Sequence, residues 1–397
     1  EAIEMIVQKN YTLLPLIKTC ARKKDLYMGI KLHEHIRRKK GLLETSIYLA
    51  SCLISMYSKC GMLEKAHEVH KDIGNPNIFS WNALISAYTQ HDHINEALDC
   101  FEQMQNEGLF PNAITYNGIL KACGSLGTIE KGRQIHDEIT NKGLLENNTV
   151  LGNSLVDMYA RCGMMTDAAQ VLEELPLRDV VTWSALIAGY ARHGYPEETL
   201  KCLEKMQNDG LSPNVITFIC ILRACTEIEI GKGIHSEIVK KGLLGKDVVL
   251  ETVLVDMYAK CGVLEEAQHV LGELSGQDIV SWTALISGYV QQGQNEEALN
   301  CFKRLNEEGL SPNAVTFSCI LKACANIGAI HKGRQIHDEI MSKDMVKDDV
   351  VLGSSLVDMY ARCGMLAKAH DVLDGLPVRN IASWSALISG YAQQGDG

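Results

Sequence analysis

Basic residues are in short supply, with 38 Lys and Arg against 49 Asp and Glu and a formal net charge of −11. Such a surface repels polyanions at long range, so nonspecific attachment to nucleic acid is disfavoured, and a nucleic-acid ligand would show only a modest salt slope. Long apolar runs are missing too: none approaches the roughly 20 residues that span a bilayer. No Pro-, Ser- or Gly-rich stretch and no composition shift breaks the 397 residues, so no domain boundary is visible. The 14 cysteines contain no C-x-x-C pair, which removes the usual zinc frameworks, and no close pairing suggests disulfides; the count fits a reducing interior. Gly-rich phosphate loops and nucleophile motifs are absent. Glu1 opens neither a signal nor a transit peptide, and Gly397 falls in mid-repeat, so we expect a segment of a longer protein.

What the chain does have is repetition. LGNSLVDMYARCGM at 151–164 returns as LETVLVDMYAKCGV at 250–263 and as LGSSLVDMYARCGM at 352–365, with a degraded copy, LASCLISMYSKCGM, at 49–62. A period near 100 residues is too long for one stacking unit, so each period holds several, and a solenoid is expected. The reference period divides into 78–112, 113–148 and 149–179, pieces of 35, 36 and 31 residues. Each carries two amphipathic stretches. In the first, Trp81, Leu84, Ile85 and Tyr88 form one stripe and Ala97, Leu98, Phe101 and Met104 another. Gly108 supplies a left-handed residue past the second helix and Pro111 blocks its continuation. Pairs this small cannot bury their faces alone and must stack on neighbours. Later pieces are 180–214, 215–247, 248–278, 279–313, 314–349 and 350–380; 10–46 and 47–77 lie upstream, 1–9 ends a preceding unit, and 381–397 is partial. We expect ten complete hairpins. The 215–247 piece has 33 residues against 36 in 113–148, and ACTEIEIGKG (224–233) stands roughly in register with ACGSLGTIEKG (122–132); the loss is expected in the loop between helices.

The strings VVTWSALIAGYARHG, ITFICILRAC, GRQIHDEI and LVDMYARCG, in the 35/36/31 rhythm, resemble the pentatricopeptide repeat (PPR) family over nearly the whole chain. They are similar in particular to its plant PLS class, in which P, L and S motifs alternate. On this resemblance the L motifs are 10–46, 113–148, 215–247 and 314–349, the S motifs 47–77, 149–179, 248–278 and 350–380, and the P motifs 78–112, 180–214, 279–313 and the partial 381–397. The resemblance implies an all-α, right-handed superhelical solenoid of helix-turn-helix repeats. It further implies sequence-specific binding of single-stranded RNA, one base per repeat, in organelle RNA processing, with C-to-U RNA editing foremost. A mitochondrion or chloroplast location follows by the same route, with editing cofactor proteins or a deaminase as further partners. The chain itself would be no enzyme and would need no cofactor, metal, membrane or small-molecule substrate; deaminase activity would lie in a domain or partner outside it. The alternative is a helical-repeat scaffold that binds protein in an organellar or ribosomal assembly.

Such modules read a base with two or three side chains. In the family these are a motif's fifth and last residues. In the P motifs the positions hold Asn82 with Asn112, Ser184 with Asn214, and Thr283 with Asn313; Ser385 is the fifth residue of the partial motif. The S motifs have Ser51 with Asn77, Asn153 with Asp179, Thr252 with Asp278, and Ser354 with Asn380. Asn and Asp also suit the residue before a helix as caps; taken as pairs in register, readout is the favoured reading. Uracil N3 and guanine N1 carry protons and need an acceptor, which Asp supplies, whereas adenine N1 and cytosine N3 need a donor, which the Asn amide supplies. With the family's Ser/Thr-for-purine pattern at the fifth residue, the implied RNA is A, C or U, n, U, A, n, G, A, n, A, then a purine. The n positions are the L motifs, whose pairs are Asn117 with Asn148, Ile219 with Asp247, and Ser318 with Asp349; upstream, Leu14 and Ser46 are equally mute, so L motifs read as spacers. The family's second residue clamps the base, which points to Tyr48, Phe79, Val150, Val181, Val249, Val280 and Val351; Ala382 departs from the pattern, and packing alone would explain each valine.

Other strings only imitate chemistry. The H-x-E half of a zinc-deaminase signature occurs at His136/Glu138, His235/Glu237 and His337/Glu339, but no C-x-x-C completes it. Cys60, Cys162, Cys261 and Cys363 share one repeat position and Cys20, Cys123, Cys225 and Cys324 another, so we expect small, mostly buried scaffold residues. His67 with His70 and His91 with His93 fit surface or inter-repeat positions. Lys131, Lys232 and Lys332 either line one face or are solvated helix positions.

Overall fold

The computed structural model describes residues 13–39, 43, 46–146, 148–274, 278–347 and 349–395; the 1–9 piece lies outside them. The chain forms two compact units, Glu1–Ser212 and Pro213–Gly397. All regular structure among the described residues is helical.

The first unit contains α1 (Leu13–Lys23), α2 (Leu26–Arg38), α3 (Ile47–Lys59), α4 (Leu63–Lys71), α5 (Ile78–Gln90), α6 (Ile94–Asn106), α7 (Ala113–Leu126), α8 (Ile129–Asn141), α9 (Thr149–Arg161), α10 (Met165–Glu174), α11 (Val180–Arg192) and α12 (Pro196–Asn208). The second contains α13 (Val215–Ala224), α14 (Ile228–Lys240), α15 (Val248–Lys260), α16 (Leu264–Glu273), α17 (Ile279–Gln291), α18 (Asn295–Glu307), α19 (Ala314–Ile327), α20 (Ile330–Ser342), α21 (Val350–Arg362), α22 (Leu366–Gly375) and α23 (Ile381–Gln394). Among the described residues these make eleven helix pairs and the unpaired α23, one pair more than the ten expected; the ranges given above also number eleven.

Within each unit the odd-numbered helices, first in each pair, pack on one another in a layer, and the even-numbered helices form a second layer over them. The anticipated stripes sit in the seam. Trp81, Leu84, Ile85 and Tyr88 of α5 are buried against Ala97, Phe101 and Met104 of α6, each large side chain contributing on the order of 1.5–3 kcal/mol of burial. Three tryptophans, of α5, α11 and α17, donate their indole N–H to the acid at the end of their hairpin: Trp81 to Glu107 at 3.1 Å, Trp183 to Asp209 at 3.2 Å and Trp282 to Glu308 at 3.0 Å. Gly108 has φ of 77°, and Leu109 N–H bonds back to Met104 O at 3.1 Å, closing α6 as the sequence suggested.

The short repeat departs from expectation. Its missing residues come out of the helix, not the loop: α13 has 10 residues where α7 and α19 have 14. α7 and α19 end on left-handed Gly127 and Gly328, whereas α13 ends on extended Cys225. Without a glycine at that point the chain has no low-cost left-handed exit and leaves the helix early. The cysteines also divide: Cys20, Cys123 and Cys324 are buried, but Cys225, Cys60, Cys162, Cys261 and Cys363 are only half-buried. The H-x-E histidines tie hairpins together, with His136, His235 and His337 Nδ1 lying 3.0, 2.9 and 2.9 Å from the hydroxyls of Tyr159, Tyr258 and Tyr360. His67 Nδ1 meets Tyr88 at 2.8 Å, His91 Nε2 meets Ser58 O at 2.7 Å, and His70 packs on the Trp81 ring. No group of metal-ligating side chains assembles among the described residues, and no described helix is long and apolar enough to cross a membrane.

Candidate nucleic-acid interface

Residues 2, 5 and 9 of a helix-opening motif are spaced i, i+3 and i+7, so they share one face of each first helix. In the second unit that face lines an open cavity of about 580 Å³, bordered by Val315, Ser318 and Lys322 of α19, Val351, Ser354 and Asp358 of α21, and Ala382, Ser385 and Ser389 of α23. In the first unit Leu14, Lys18, Ser51 and Ser55 border another, of about 620 Å³.

The last residue of each pair is the N-cap of the following helix. Asn77 Oδ1 accepts from Phe79 and Ser80 N–H at 2.9 and 3.1 Å, Asn112 from Ile114 and Thr115 at 3.0 and 3.1 Å, and Asp179 from Val181 and Thr182, both at 2.9 Å. Asn214, Asp278, Asn313 and Asn380 accept from the N–H three residues on, at 2.9, 2.7, 2.9 and 2.7 Å. A backbone N–H needs an acceptor, so the cap orients the amide: the oxygen faces the helix and Nδ2 faces away. None of the five Asn Nδ2 groups donates to a described residue, whereas in Asp179 and Asp278 the second oxygen occupies that outward position. Burial alone would raise the Asp179 pKa, but hydrogen bonds from Thr182, Asn153 and Val181 outweigh it and hold the carboxyl below its ordinary value, keeping it an acceptor.

Four fifth residues touch their partners directly. Asn82 Nδ2 donates to Asn112 Oδ1 at 3.2 Å, Asn153 Nδ2 to Asp179 Oδ2 at 3.3 Å, Thr252 Oγ1 to Asp278 Oδ2 at 3.5 Å, and Ser354 Oγ to Asn380 Oδ1 at 3.1 Å. Thr283 reaches Asn313 through Thr316, whose hydroxyl lies 2.7 Å from that of Thr283 and donates to Asn313 Oδ1 at 2.9 Å. Ser51 bonds instead to its own helix at Tyr48 O, 3.0 Å away. Ser184 and Asn214 stand in different units. Asn82, Ser184 and Thr283 are only 8, 5 and 8% exposed, while Ser51, Asn153, Thr252 and Ser354 are half-buried and Ser385 is exposed.

A third member of the set went unread in the sequence: the Ser or Thr three residues past the cap. Thr115, Thr182, Ser281 and Thr316, at most 1% exposed, bond the fifth residue of the hairpin before, respectively Asn82 (2.6 Å), Asn153, Thr252 (2.9 Å) and Thr283. The recurring [ND]-x-x-[ST] string carried the signal. At α9, α15 and α21 that place is taken by buried Leu151, Leu250 and Leu352; Asn117 is met instead by Ser154 of α9, whose hydroxyl donates to its Oδ1.

Second residues face solvent. Tyr48, Phe79, Val150, Val181, Val249, Val280 and Val351 are 41–66% exposed, which packing does not explain. Ile114, Ile216 and Val315, the equivalents in α7, α13 and α19 passed over in the sequence, are 60–62% exposed, so each first helix from α3 to α11 in the first unit and from α13 to α21 in the second exposes an apolar residue there. The Tyr48 and Phe79 ring centroids stand 5.1 Å apart.

Stacked helical hairpins that recur with an exposed apolar residue and a helix-capping Asn or Asp at fixed positions define a modular α-helical repeat protein. Models of the PPR repeat match residues 49–75, 114–144, 153–180, 252–279, 354–381 and 382–397, and a PPR repeat family model matches 76–125, 178–227 and 277–326, together well over half of the chain. The chain belongs to the pentatricopeptide repeat family. A chloroplastic pentatricopeptide repeat-containing protein of Arabidopsis thaliana is 37% identical over 383 residues, covering 96% of this chain and 61% of the relative. A mitochondrial one from the same plant is 33% identical over 384 residues, covering 96% and 55%. The chain therefore spans little more than half the length of these relatives. Among solved structures, the pentatricopeptide repeat protein PPR10 in complex with an 18-nt psaJ RNA element is similar with a TM-score of 0.72 at 19% identity, over 92% of this chain and 55% of that one. PPR10 from maize matches at 0.51 over 98% and 67%. At that identity the likeness is one of fold.

Proposed function

We propose that the chain is a sequence-specific single-stranded RNA-binding array that recognises sites for organelle RNA processing, each pair of fifth and last residues outside the L motifs meeting one base. The array binds rather than catalyses. The observation that carries this reading is the cap: one contact common to Asn and Asp orients the side chain, and the group left over is a donor in Asn and an acceptor in Asp, the difference that separates A or C from U or G. The exposed apolar row supports it by offering each base a flat contact, worth on the order of 1–3 kcal/mol where the partner is aromatic and less for valine. The PPR10 complex with RNA and the chloroplastic and mitochondrial relatives support RNA as ligand and an organelle as location. The alternation of P, L and S motifs points further, to C-to-U editing, with the deaminase in a domain or partner outside this chain.

The test is a gel-shift titration with ACUUAUGAUAG and with a copy carrying A in place of G opposite Thr252 and Asp278. Preference for the first RNA is expected. Equal binding of the two would reject base readout at this pair, and no binding of either would favour the protein-scaffold alternative.

A further inference from the structure

The L motifs, silent as base readers, carry a second pattern. At the ninth residue, one turn and about 6 Å along the helix from the fifth, α1, α7, α13 and α19 place Lys18, Lys121, Arg223 and Lys322. The same position holds Ser55, Asp157, Asp256 and Asp358 in the S-motif helices α3, α9, α15 and α21, and Ser86, Ala188, Ser287 and Ser389 in the P-motif helices α5, α11, α17 and α23. All four L-motif cations are exposed, and none has a carboxylate within 4.0 Å among the described residues. The neighbouring S-motif carboxylates are already neutralised on their own helices, Asp157 by Arg161 at 2.8 Å, Asp256 by Lys260 at 2.6 Å and Asp358 by Arg362 at 3.0 Å. Lys322 borders the cavity that also contains Ser354 and Ser385, and Lys18 the one that contains Ser51. The reader face of each unit thus carries uncompensated positive charge in a chain whose net charge is −11.

We propose that Lys18, Lys121, Arg223 and Lys322 bind phosphodiester groups of single-stranded RNA, so that the L motif grips the backbone where its base-reading pair is idle. The inference rests on the RNA-binding reading. A lysine ammonium or arginine guanidinium beside the bases offers charge-assisted hydrogen bonds to phosphate oxygens with no preference for sequence. One grip per three motifs leaves the other two free to discriminate. It also answers the acidic composition, since local field and global charge differ in sign.

The experiment measures the affinity of the 397-residue chain for ACUUAUGAUAG across a salt series, for wild type, each single Gln substitution and the quadruple variant K18Q/K121Q/R223Q/K322Q. Lys232→Gln and Lys303→Gln, whose ammonium groups lie beside Glu229 and Glu307 at 3.9 and 3.6 Å, serve as controls. Each L-motif substitution should lower the slope of log K against log salt by about 0.7, and the quadruple variant by about 2.8. The preference for G over A opposite Asp278 and the melting temperature should stay unchanged. A quadruple variant with wild-type slope and intact base preference overturns the phosphate grip alone. A reduced slope in a protein that never distinguished the two RNAs supports the grip and rejects the base readout. Absence of RNA binding by wild type overturns both.

Discussion

Replacing Asp278 by Asn separates the cap from the readout. Asp278 Oδ1 accepts from Ser281 N–H at 2.7 Å, and Oδ2 lies 3.5 Å from Thr252 Oγ1. In Asp278→Asn the amide oxygen takes over the Ser281 N–H and Nδ2 occupies the place of Oδ2. Asn and Asp are equivalent N-caps, so unfolding free energy should move by no more than about 0.5 kcal/mol, while Asp278→Ala should lose about 1 kcal/mol. Binding should respond in the opposite proportion. On the proposed readout, guanine N1–H then faces a donor where it had a charged acceptor, a hydrogen bond of about 1.5–3 kcal/mol, which is roughly 10- to 150-fold in the G-to-A affinity ratio. Urea unfolding and gel-shift titration on the same three proteins decide the matter. If Asp278→Asn is destabilised as much as Asp278→Ala, or binds G and A in the wild-type ratio, the division of labour between the two oxygens is wrong.

Thr182→Val, nearly isosteric, removes a buried hydroxyl that supports both Asn153 and Asp179; it should cost about 1–3 kcal/mol, and a variant as stable as wild type in urea would show that the hydroxyl supports neither. Val351, 66% exposed, should be replaceable by Ser with stability unchanged within about 0.5 kcal/mol but with RNA affinity reduced severalfold; a drop in melting temperature without loss of affinity would return it to a packing role. A Cβ on Gly288 would lie 2.8 Å from Ala259 Cβ and 2.9 Å from Leu264 Cδ2, so Gly288→Ala forces α17 off α15 and should cost about 1–3 kcal/mol in chemical denaturation. Burial pushes His33, His136, His235 and His337 below the ordinary histidine value of 6.5, and His70 down to about 4. The unfolded chain then binds protons that the native state refuses, so stability is complete above pH 6.5 and declines as pH falls from there toward 4. Thermal melts at about pH 7.5 and 5 should show the decline, and His70→Gln should lessen it; an equal decline in the variant would exclude His70.

Much of the architecture was readable from one sequence because its causes are local. A 3.6-residue apolar period, a glycine after a helix and a proline that cannot continue one need no knowledge of neighbours, and Gly108 with Pro111 closes α6 accordingly. The place of the missing residues in 215–247 was harder to read, because helix length there depends on how a left-handed exit is supplied, and Cys225 leaves in an extended conformation instead. The Ser/Thr at 115, 182, 281 and 316 was visible as a letter but not as a contact, since its partner lies about thirty residues away on another hairpin.

The sequence by itself determined the helical repeat and the family, because periodicity and capping residues act over one or two turns. Only the tertiary structure decided which apolar residues stay in solvent, which amide hydrogen-bonding groups are left over, and which cations lack a carboxylate. Those properties belong to the packing of one hairpin on the next. A valine that opens a helix reads the same whether buried or not; the layer of first helices leaves Val280 and its counterparts outside the seam that buries Trp282.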